Sequence, residues 1–235
     1  MGYGLRYDHN HALFDKEQND TRMLLWRMKR LGVSAENNKR RFLENKLAQL
    51  NKLPKSLDAI YQLMLLSNSE CKELVNLANL WGKHVGWSSA RHANFPTYDL
   101  PAKEIPGLMA WLGPRLQATV YPLIESNYGL TQADLYIIDL FVVSYELAGQ
   151  RKLDFHEDTA LLTFSCLLSD PRDFQGGGLY LSAIDQKFIL SRGEAILHAG
   201  KWLHCGLPID AGRRMILVGF FGHRSIEHEA LADVD

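Results

Sequence analysis

Two histidines and one aspartate, in the order His156-x-Asp158…His204, are the feature that most restricts how this chain can fold. On a β-strand the side chains of residues i and i+2 point to the same face, so His156 and Asp158 can reach one metal ion while Glu157 points away. The third ligand must come from a distant segment that packs opposite. His204 precedes an apolar run, residues 215–221, that predicts a strand. Two imidazoles and a carboxylate form the facial triad that holds non-heme Fe(II) and leaves coordination positions open.

The His156-x-Asp158 pair alone is equally compatible with a surface turn, because a chain with nine histidines often places one of them two residues before an aspartate. Four further motifs in a defined order make the metal site the stronger interpretation. They are Asp173 to Leu181 (DFQGGGLYL), Gly193 to Gly200 (GEAILHAG), His204 to Ile209 (HCGLPI) and Gly212-Arg213-Arg214. In this order the chain, over about residues 135–224, resembles the catalytic domain of the Fe(II)/2-oxoglutarate dioxygenases of the prolyl 4-hydroxylase branch. From the glycine triplet to Phe221 it is similar to procollagen-lysine hydroxylase catalytic domains.

The resemblance implies roles for five residues. His156, Asp158 and His204 would bind the iron. Arg214, ten residues after His204, would pair with the far carboxylate of 2-oxoglutarate, because a guanidinium offers a carboxylate a bidentate fork. The hydroxyl of Tyr145 would help to hold the same co-substrate. Tyr145 stands eleven residues before His156, which is farther than usual, and the alternative interpretation is a half-buried strand tyrosine.

His198 competes for the place of the third ligand, because the family often has a histidine in such a Leu-His-x-Gly stretch ahead of the metal-binding one. His204 is favoured, because it alone is followed by Gly206 and Pro208 and stands at the family's distance from Arg214. The other histidines lack partners at ligand spacing and are predicted to be surface or loop residues: His9, His11, His84, His92, His223 and His228.

The sequence also supports predictions for a glycine triplet, a loop and a second arginine near these residues. The triplet Gly176-Gly177-Gly178 either lets the backbone approach the metal pocket or forms a tight connection into the next strand, and the structural role is favoured. The loop from Trp87 to Leu100 is the predicted lid of the site. Arg213 should point to the opposite strand face from its neighbour and form a surface charge.

The periodicity of apolar residues divides the chain into a helical part and a later β part. Helices are predicted from the capping box at Ser67 and Glu70 to about residue 81, and over 107–128, where two prolines would kink the helix or divide it. Strands are predicted over residues 135–147, 161–168, 178–181, 187–190, 195–198 and 215–221. This order predicts an α+β chain with a mainly β core, a double-stranded β-helix (jelly roll) with N-terminal supporting helices.

The predicted domain organisation has two parts. Residues 1–60 form an N-terminal tail and basic helical extension, and residues 61–235 form the dioxygenase domain, with helices over 61–130 and the jelly-roll core over 131–224. Residues 21–55 carry ten Lys and Arg against two Glu, a charge of +8 in a chain whose net charge is -1. The amphipathic helix predicted within this segment is interpreted as a support helix, in preference to a docking arm for an acidic partner or nucleic acid.

Composition places few limits on location. No run approaches the ~20 apolar residues that a membrane span needs, and the N-terminus shows no apolar secretory signal. The three cysteines have no metal-binding spacing and cannot all pair, which fits a reducing compartment. A cytoplasmic location without membrane partners is therefore expected.

The resemblance implies an Fe(II)- and 2-oxoglutarate-dependent hydroxylase that consumes O₂, releases succinate and CO₂, and takes ascorbate as an optional cofactor. Asp158 favours hydroxylation, because halogenating relatives have a small residue at that position. The expected substrate is a lysine or proline side chain of a protein or peptide, with lysine slightly preferred. A free amino acid or small metabolite is the alternative, and a non-catalytic binding module is a third hypothesis. Nucleic acid is disfavoured, because the residues after Arg214 are apolar where demethylating relatives have a second arginine.

Overall fold

The computed structural model describes residues 3–5, 57, 59–92 and 95–224. The chain separates into two compact units, Met1–Arg6 with Ala59–Asp235 and Tyr7–Asp58. The basic helix predicted within residues 21–55 lies outside the described residues. The described strands and helices are β1 (Tyr3–Leu5), β2 (Ile60–Met64), α1 (Asn68–Val85), β3 (Asp99–Pro101), α2 (Leu108–Ala118), α3 (Val120–Tyr128), β4 (Leu135–Glu146), β5 (Leu153–His156), β6 (Leu162–Leu167), β7 (Phe174–Gly176), β8 (Leu179–Leu181), β9 (Gln186–Phe188), β10 (Glu194–Ala199), β11 (His204–Gly206) and β12 (Ile209–His223).

Two antiparallel sheets form the core of the first unit. The larger sheet has the order β1-β2-β10-β6-β12-β4-β3, with β7 paired to the first part of β12, and the smaller sheet has the order β5-β11-β8-β9. A cavity of about 280 Å³ is lined by residues of β4, β6 and β12 from the larger sheet and of β5, β8 and β11 from the smaller one. The cavity therefore lies between the two sheets.

Strand β12 is the central strand of this arrangement, because it pairs with β4 on one side and with β6 on the other. Every second side chain of its middle part lines the cavity, as expected for strand alternation; these are Arg214, Ile216, Val218 and Phe220. The opposite face is buried as well: Phe221 makes an edge contact with Tyr121 of α3, with ring centroids 5.6 Å apart. The helices thus cover the outer face of the larger sheet and leave its inner face to the cavity.

Helix α1 begins as the sequence predicts. The side chain of Ser67 accepts a hydrogen bond from the backbone of Glu70, and the Glu70 carboxylate accepts one from the backbone of Ser67. The helix ends at Val85, four residues later than predicted. The predicted 107–128 helix is two helices that meet at Thr119, so neither proline marks the break. Pro122 lies in the first turn of α3, where its missing N–H has no helical acceptor to lose.

Two strands lie in the region, residues 61–130, that the sequence analysis assigns to helices, and this part of the prediction is wrong. They are β2 (Ile60–Met64), which pairs with β10, and β3 (Asp99–Pro101), which pairs with β4. Their partners are about 40 to 130 residues away, and such pairing overrides local propensity. Residues 3–5 likewise form a strand against β2 rather than part of an irregular tail. Among the helices in the described residues, none is long and apolar enough to cross a membrane.

Candidate active site

The structure brings the three residues of the His-x-Asp…His pattern together at the cavity. One donor atom from each of His156, Asp158 and His204 lies within 4.8 Å of the others, so the set could hold a metal ion. The Nε2 atoms of both histidines are 3.5 Å from the Asp158 carboxylate, and the two imidazole centroids are 4.3 Å apart. This closeness follows from strand register, because His156 of β5 and His204 of β11 are direct cross-strand partners. Asp158 lies two residues beyond the end of β5, where its N–H donates to Gly200.

Hydrogen bonds to neighbouring groups orient each of these side chains. His156 Nδ1 is 2.7 Å from the carbonyl of Asp154, and His204 Nδ1 is 2.6 Å from the carbonyl of Trp202. Because a carbonyl can only accept, each Nδ1 carries a proton, and in the neutral form of each ring Nε2 keeps a lone pair that faces Asp158. The hydroxyl of Thr163 donates to Asp158 Oδ2 at 2.7 Å. Partners of this kind fix ring orientation and raise ligand basicity in metal sites.

The protonation states of the group suit a divalent cation. Burial, with a further contribution from the neighbouring His198, lowers the pKa of His204 to about 3, so its imidazole is neutral. Burial alone would raise the pKa of Asp158, but hydrogen bonding from His156 and the nearby histidines outweigh it, and the pKa is lowered. Burial opposes protonation of His156 too, yet the Asp158 carboxylate raises the pKa of that ring. Metal binding requires neutral imidazoles, so His204 is in the ligand state, and His156 reaches that state once the pH exceeds its raised pKa.

Arg214 lies on the same cavity, and within the part of the chain that the structure describes its guanidinium forms no ion pair. Its side chain is buried, and Nη1 has no hydrogen-bond partner among the described residues. Burial lowers the pKa of this guanidinium, and the Tyr145 ring lies 5.4 Å from its central carbon. A buried cation without a partner is costly, so a group that faces a cavity in this state fits a carboxylate ligand. The far carboxylate of 2-oxoglutarate is such a group.

Tyr145 is buried beside Arg214, because the two residues are cross-strand partners on β4 and β12. Burial raises the pKa of its hydroxyl, so the phenol is protonated and can donate a hydrogen bond into the cavity. The Tyr145 hydroxyl is 3.2 Å from the position that a Cβ on Gly206 would occupy, so the glycine lets the hydroxyl lie closer to this backbone than most side chains would allow. Tyr145 is thus fully buried at the cavity, and not half-buried as in the alternative interpretation. That its hydroxyl helps to hold the co-substrate stays a prediction.

The glycine triplet combines both roles that the sequence allowed. All three residues have positive φ, between 70° and 120°, which L side chains rarely adopt. In addition, a Cβ on Gly177 would lie 3.0 Å from Cδ of Arg214 and 3.3 Å from Ile209. The connection into β8 is therefore tight for conformational reasons, and it also packs directly against the guanidinium stem.

The structure also places His198, the alternative candidate for the third ligand. His198 lies behind His204, with ring centroids 4.8 Å apart, and its Nδ1 bonds to the carbonyl of Ala199. It is not one of the three clustered donors.

Arg213 does point to the opposite face, but it is more than a surface charge: it donates to Ser144 at 2.7 Å and to Asn79 at 2.6 Å.

The predicted lid is a loop whose two ends are fastened together. Ser88 and Asp99 exchange two backbone hydrogen bonds, of 2.8 and 2.9 Å, at its base. His92, Phe95 and Thr97 line the cavity, and the Phe95 ring lies 5.1 Å from the ring of His156. His92 is a loop residue, as predicted, and it also lines the cavity. The residues missed by sequence reasoning, Thr163 and the cavity-lining aromatic rings, carry no local motif, and only their shared strand face could have indicated them.

Comparisons with known proteins identify similar domains. The chain is 28% identical over 177 residues to the human protein named procollagen-lysine,2-oxoglutarate 5-dioxygenase 2, covering 68% of this chain and 23% of that protein. It is 31% identical over 179 residues to the procollagen lysyl hydroxylase and glycosyltransferase of Acanthamoeba polyphaga mimivirus, covering 68% of this chain and 19% of the relative. The chain thus spans about a fifth of the length of these relatives. No protein-family model matches it.

The fold has solved counterparts. A viral collagen prolyl hydroxylase from Paramecium Bursaria Chlorella virus-1 superposes with a TM-score of 0.51 at 19% identity, covering 69% of this chain and 94% of that one. The mainly β core, the helices before it and this superposition confirm the predicted jelly-roll fold. The names of these relatives confirm the resemblance to the prolyl and lysyl hydroxylase type of Fe(II)/2-oxoglutarate dioxygenase.

Proposed function

We propose that this chain is an Fe(II)- and 2-oxoglutarate-dependent hydroxylase that acts on a lysine or proline side chain of a protein or peptide. The single observation that carries the proposal is one cavity that holds a His-Asp-His donor set and a buried arginine whose Nη1 has no hydrogen-bond partner among the described residues. In this proposal residues 61–235 are the catalytic domain, residues 1–60 are an extension, and the protein acts in the cytoplasm.

In this proposal His156, Asp158 and His204 hold the iron. With 2-oxoglutarate and O₂ bound, the metal supplies the oxidising chemistry, which yields succinate, CO₂ and a hydroxylated product. The protein's own contribution is to present two imidazole lone pairs and one carboxylate from rigid strand ends, with the Thr163 hydroxyl holding Asp158 in place. The carboxylate of Asp158 occupies the position that a halide would need, which supports hydroxylation over halogenation.

Arg214 and Tyr145 hold the co-substrate at the end of the cavity away from solvent. Arg214 offers parallel N–H donors to the far carboxylate, and the Tyr145 hydroxyl donates a further hydrogen bond. Apolar side chains around them exclude water, which strengthens these charge-assisted bonds; they are Leu153, Leu179, Leu190 and Ile216. The orientation of 2-oxoglutarate is thus set by this chain before any substrate arrives.

A side chain presented by a protein or peptide is favoured over a whole small metabolite. The cavity volume of about 280 Å³ is at the small end for a ligand pocket, and the co-substrate must occupy part of it. The names of the relatives, procollagen lysyl hydroxylases, support the same choice. A free amino acid remains the alternative substrate, since its side chain would fill the same space.

The test is anaerobic addition of Fe(II) and 2-oxoglutarate to the wild type and to His204→Ala, with detection of the weak visible charge-transfer band of the iron chelate. A band in the wild type alone supports the site, and turnover of Lys and Pro peptides then decides between the substrates. Glu125→Gln, an exposed change on α3, is the matched control and should show the wild-type band. No band in folded wild-type protein would reject the proposal in favour of a non-catalytic binding module.

A further inference from the structure

Gln150 lies in the connection between two strands that the proposed site uses. Strand β4 carries Tyr145 and ends at Glu146, and β5 begins at Leu153 and ends at the proposed ligand His156. The backbone carbonyl of Gln150 accepts a hydrogen bond from the Glu146 N–H at 2.9 Å, which fixes the residue beside the end of β4. Gln150 does not line the cavity, so its side chain can act on the site only through a neighbour.

The side-chain amide of Gln150 forms two hydrogen bonds with the backbone of the predicted lid loop. Its Oε1 accepts from the Tyr98 N–H at 2.6 Å, and its Nε2 donates to the Pro96 carbonyl at 3.0 Å. Both bonds need an amide, because a peptide N–H can only donate and a carbonyl can only accept. The side chain therefore occupies the place that a neighbouring peptide group would have in a sheet.

These two bonds continue the attachment of strand β3 to β4. The Tyr98 carbonyl, just before β3, accepts from the Ser144 N–H at 2.9 Å. The N–H two residues farther along the same edge of β4, that of Glu146, donates to the Gln150 backbone instead. Beyond Ser144, the Gln150 side chain thus replaces β4 as the partner of the loop.

The segment held in this way, residues 95–98, covers the proposed metal site. Phe95 and Thr97 line the cavity, and the ring centroids of Phe95 and His156 are 5.1 Å apart. Thr97 lies between the two bonded residues, is buried and donates a hydrogen bond to Asp99. Phe95 is 36% exposed, so solvent lies on its outer side. Movement of residues 95–98 away from the cavity would therefore admit water beside His156.

We propose that Gln150 is a positioning residue that holds residues 95–98 over the proposed metal site and so keeps the consumption of 2-oxoglutarate matched to substrate hydroxylation. This rests on the proposed function, which places the iron at His156, Asp158 and His204. A site that excludes water limits side reactions of this kind. In a turnover without hydroxylation, ascorbate supplies the electrons that the substrate would have supplied, and the unused oxygen atom leaves as water.

The experiment uses Gln150→Leu, which keeps a side chain of similar size and removes both hydrogen bonds. The first readout is hydrogen exchange at the Tyr98 amide, measured by mass spectrometry with fragmentation to single residues. The second is the molar ratio of hydroxylated peptide to succinate, with ascorbate present, for a Lys or Pro peptide that the wild type hydroxylates. This ratio does not depend on the amount of folded protein, so a general loss of stability cannot change it. Gln132→Leu, the same change at an exposed position before β4, is the matched control.

In Gln150→Leu the Tyr98 amide should exchange about tenfold faster than in the wild type, because a local opening no longer breaks these bonds. The ratio of product to succinate should fall at least twofold, while the Kd for 2-oxoglutarate keeps its wild-type value because Arg214 and Tyr145 are unchanged. Gln132→Leu should match the wild type in all three measurements. Gln150→Glu keeps an acceptor for the Tyr98 N–H but loses the donor to Pro96, so its ratio should lie between those of the wild type and Gln150→Leu.

A wild-type ratio in folded Gln150→Leu would overturn the proposal, and so would an unchanged exchange rate at Tyr98. If Gln150→Leu does not fold, a wild-type ratio in Gln150→Glu would overturn it equally. In each case the wild type still hydroxylates the peptide, so the proposed function survives. A folded wild type without the band of the iron chelate would remove the proposed function and this proposal with it.

Discussion

The adjacent residues Arg213 and Arg214 should respond in opposite directions to the same substitution. Arg214 is buried with Nη1 unpartnered among the described residues, whereas Arg213 donates to Ser144 and Asn79. Replacing a buried, unpaired cation with an apolar side chain of similar length removes a desolvation cost. We expect Arg214→Met to stabilise the ligand-free protein by about 2 kcal/mol, which for a domain of this size raises the melting temperature by about 6 °C.

Arg214→Met should also weaken the binding of 2-oxoglutarate strongly. Truncating one partner of a buried, hydrogen-bonded charge pair costs about 2–5 kcal/mol, and a value near 3 kcal/mol corresponds to a roughly 150-fold higher Kd for 2-oxoglutarate. Arg213→Met, the matched control, loses hydrogen bonds in a side chain that is 36% exposed. After allowance for solvent, it should destabilise the protein by only about 1 kcal/mol, and it should bind 2-oxoglutarate normally.

Thermal melts with Mn(II), a redox-stable substitute for Fe(II), measure both effects. Each protein is melted with and without 2-oxoglutarate, and calorimetric titration gives the Kd. The expected pattern is a higher melting temperature for ligand-free Arg214→Met and no further rise on adding 2-oxoglutarate. A ligand-free Arg214→Met that melts below the wild type, or one that 2-oxoglutarate stabilises as strongly as the wild type, would refute the reasoning about the unpartnered guanidinium.

Four further changes test the site. Asp158→Ala should abolish hydroxylation and metal retention, and wild-type turnover in this variant would contradict the ligand set. Thr163→Val removes the hydroxyl that holds Asp158 and should weaken Fe(II) affinity about 10- to 100-fold, as measured by competition with a chelator, with little effect on melting. Gly177→Ala places a Cβ against the Arg214 side chain and puts an alanine at a positive φ, so it should raise the KM for 2-oxoglutarate at least tenfold. An unchanged KM would show that the loop can shift freely. Metal affinity should rise as the pH passes through the raised pKa of His156. Burial opposes this rise in pKa, and the Asp158 carboxylate produces it. A protonated His156 cannot bind a metal ion until it loses the proton on Nε2. Affinity that is flat across this range would contradict the assigned protonation state.

Part of the cluster of His156, Asp158 and His204 could be predicted because its first two residues form a local pattern. Two residues at i and i+2 on a strand end need no knowledge of the rest of the fold, and a cluster of motifs downstream identified the third. The helix cap at Ser67 and Glu70 was predictable for the same reason. The strand β2 was not, since its pairing with β10 joins residues more than 130 positions apart and local propensity gives no sign of it.

A cluster of three aromatic rings in the cavity wall could be predicted even less from local pattern. His92, Phe141 and Phe220 come from three separate parts of the chain, and Arg91 reaches Asp139 across 48 residues. No spacing rule links these positions. Their meeting depends on the register of β12 against β4, which pairs Phe220 with Asp139, and on the fastening of the loop at Ser88 and Asp99.

Strand β12 and the loop between Ser88 and Asp99 should differ in how well they tolerate substitution. Arg214 and Phe220 belong to one strand, so covalent geometry fixes the distance between these two cavity-lining residues, and a shift of register would move both at once. The loop between Ser88 and Asp99 carries His92 and belongs to neither sheet. Loops of this kind tolerate change far better than paired strands. Substitutions in the loop should therefore alter substrate choice while leaving the affinity for 2-oxoglutarate unchanged, and substitutions on β12 should affect both.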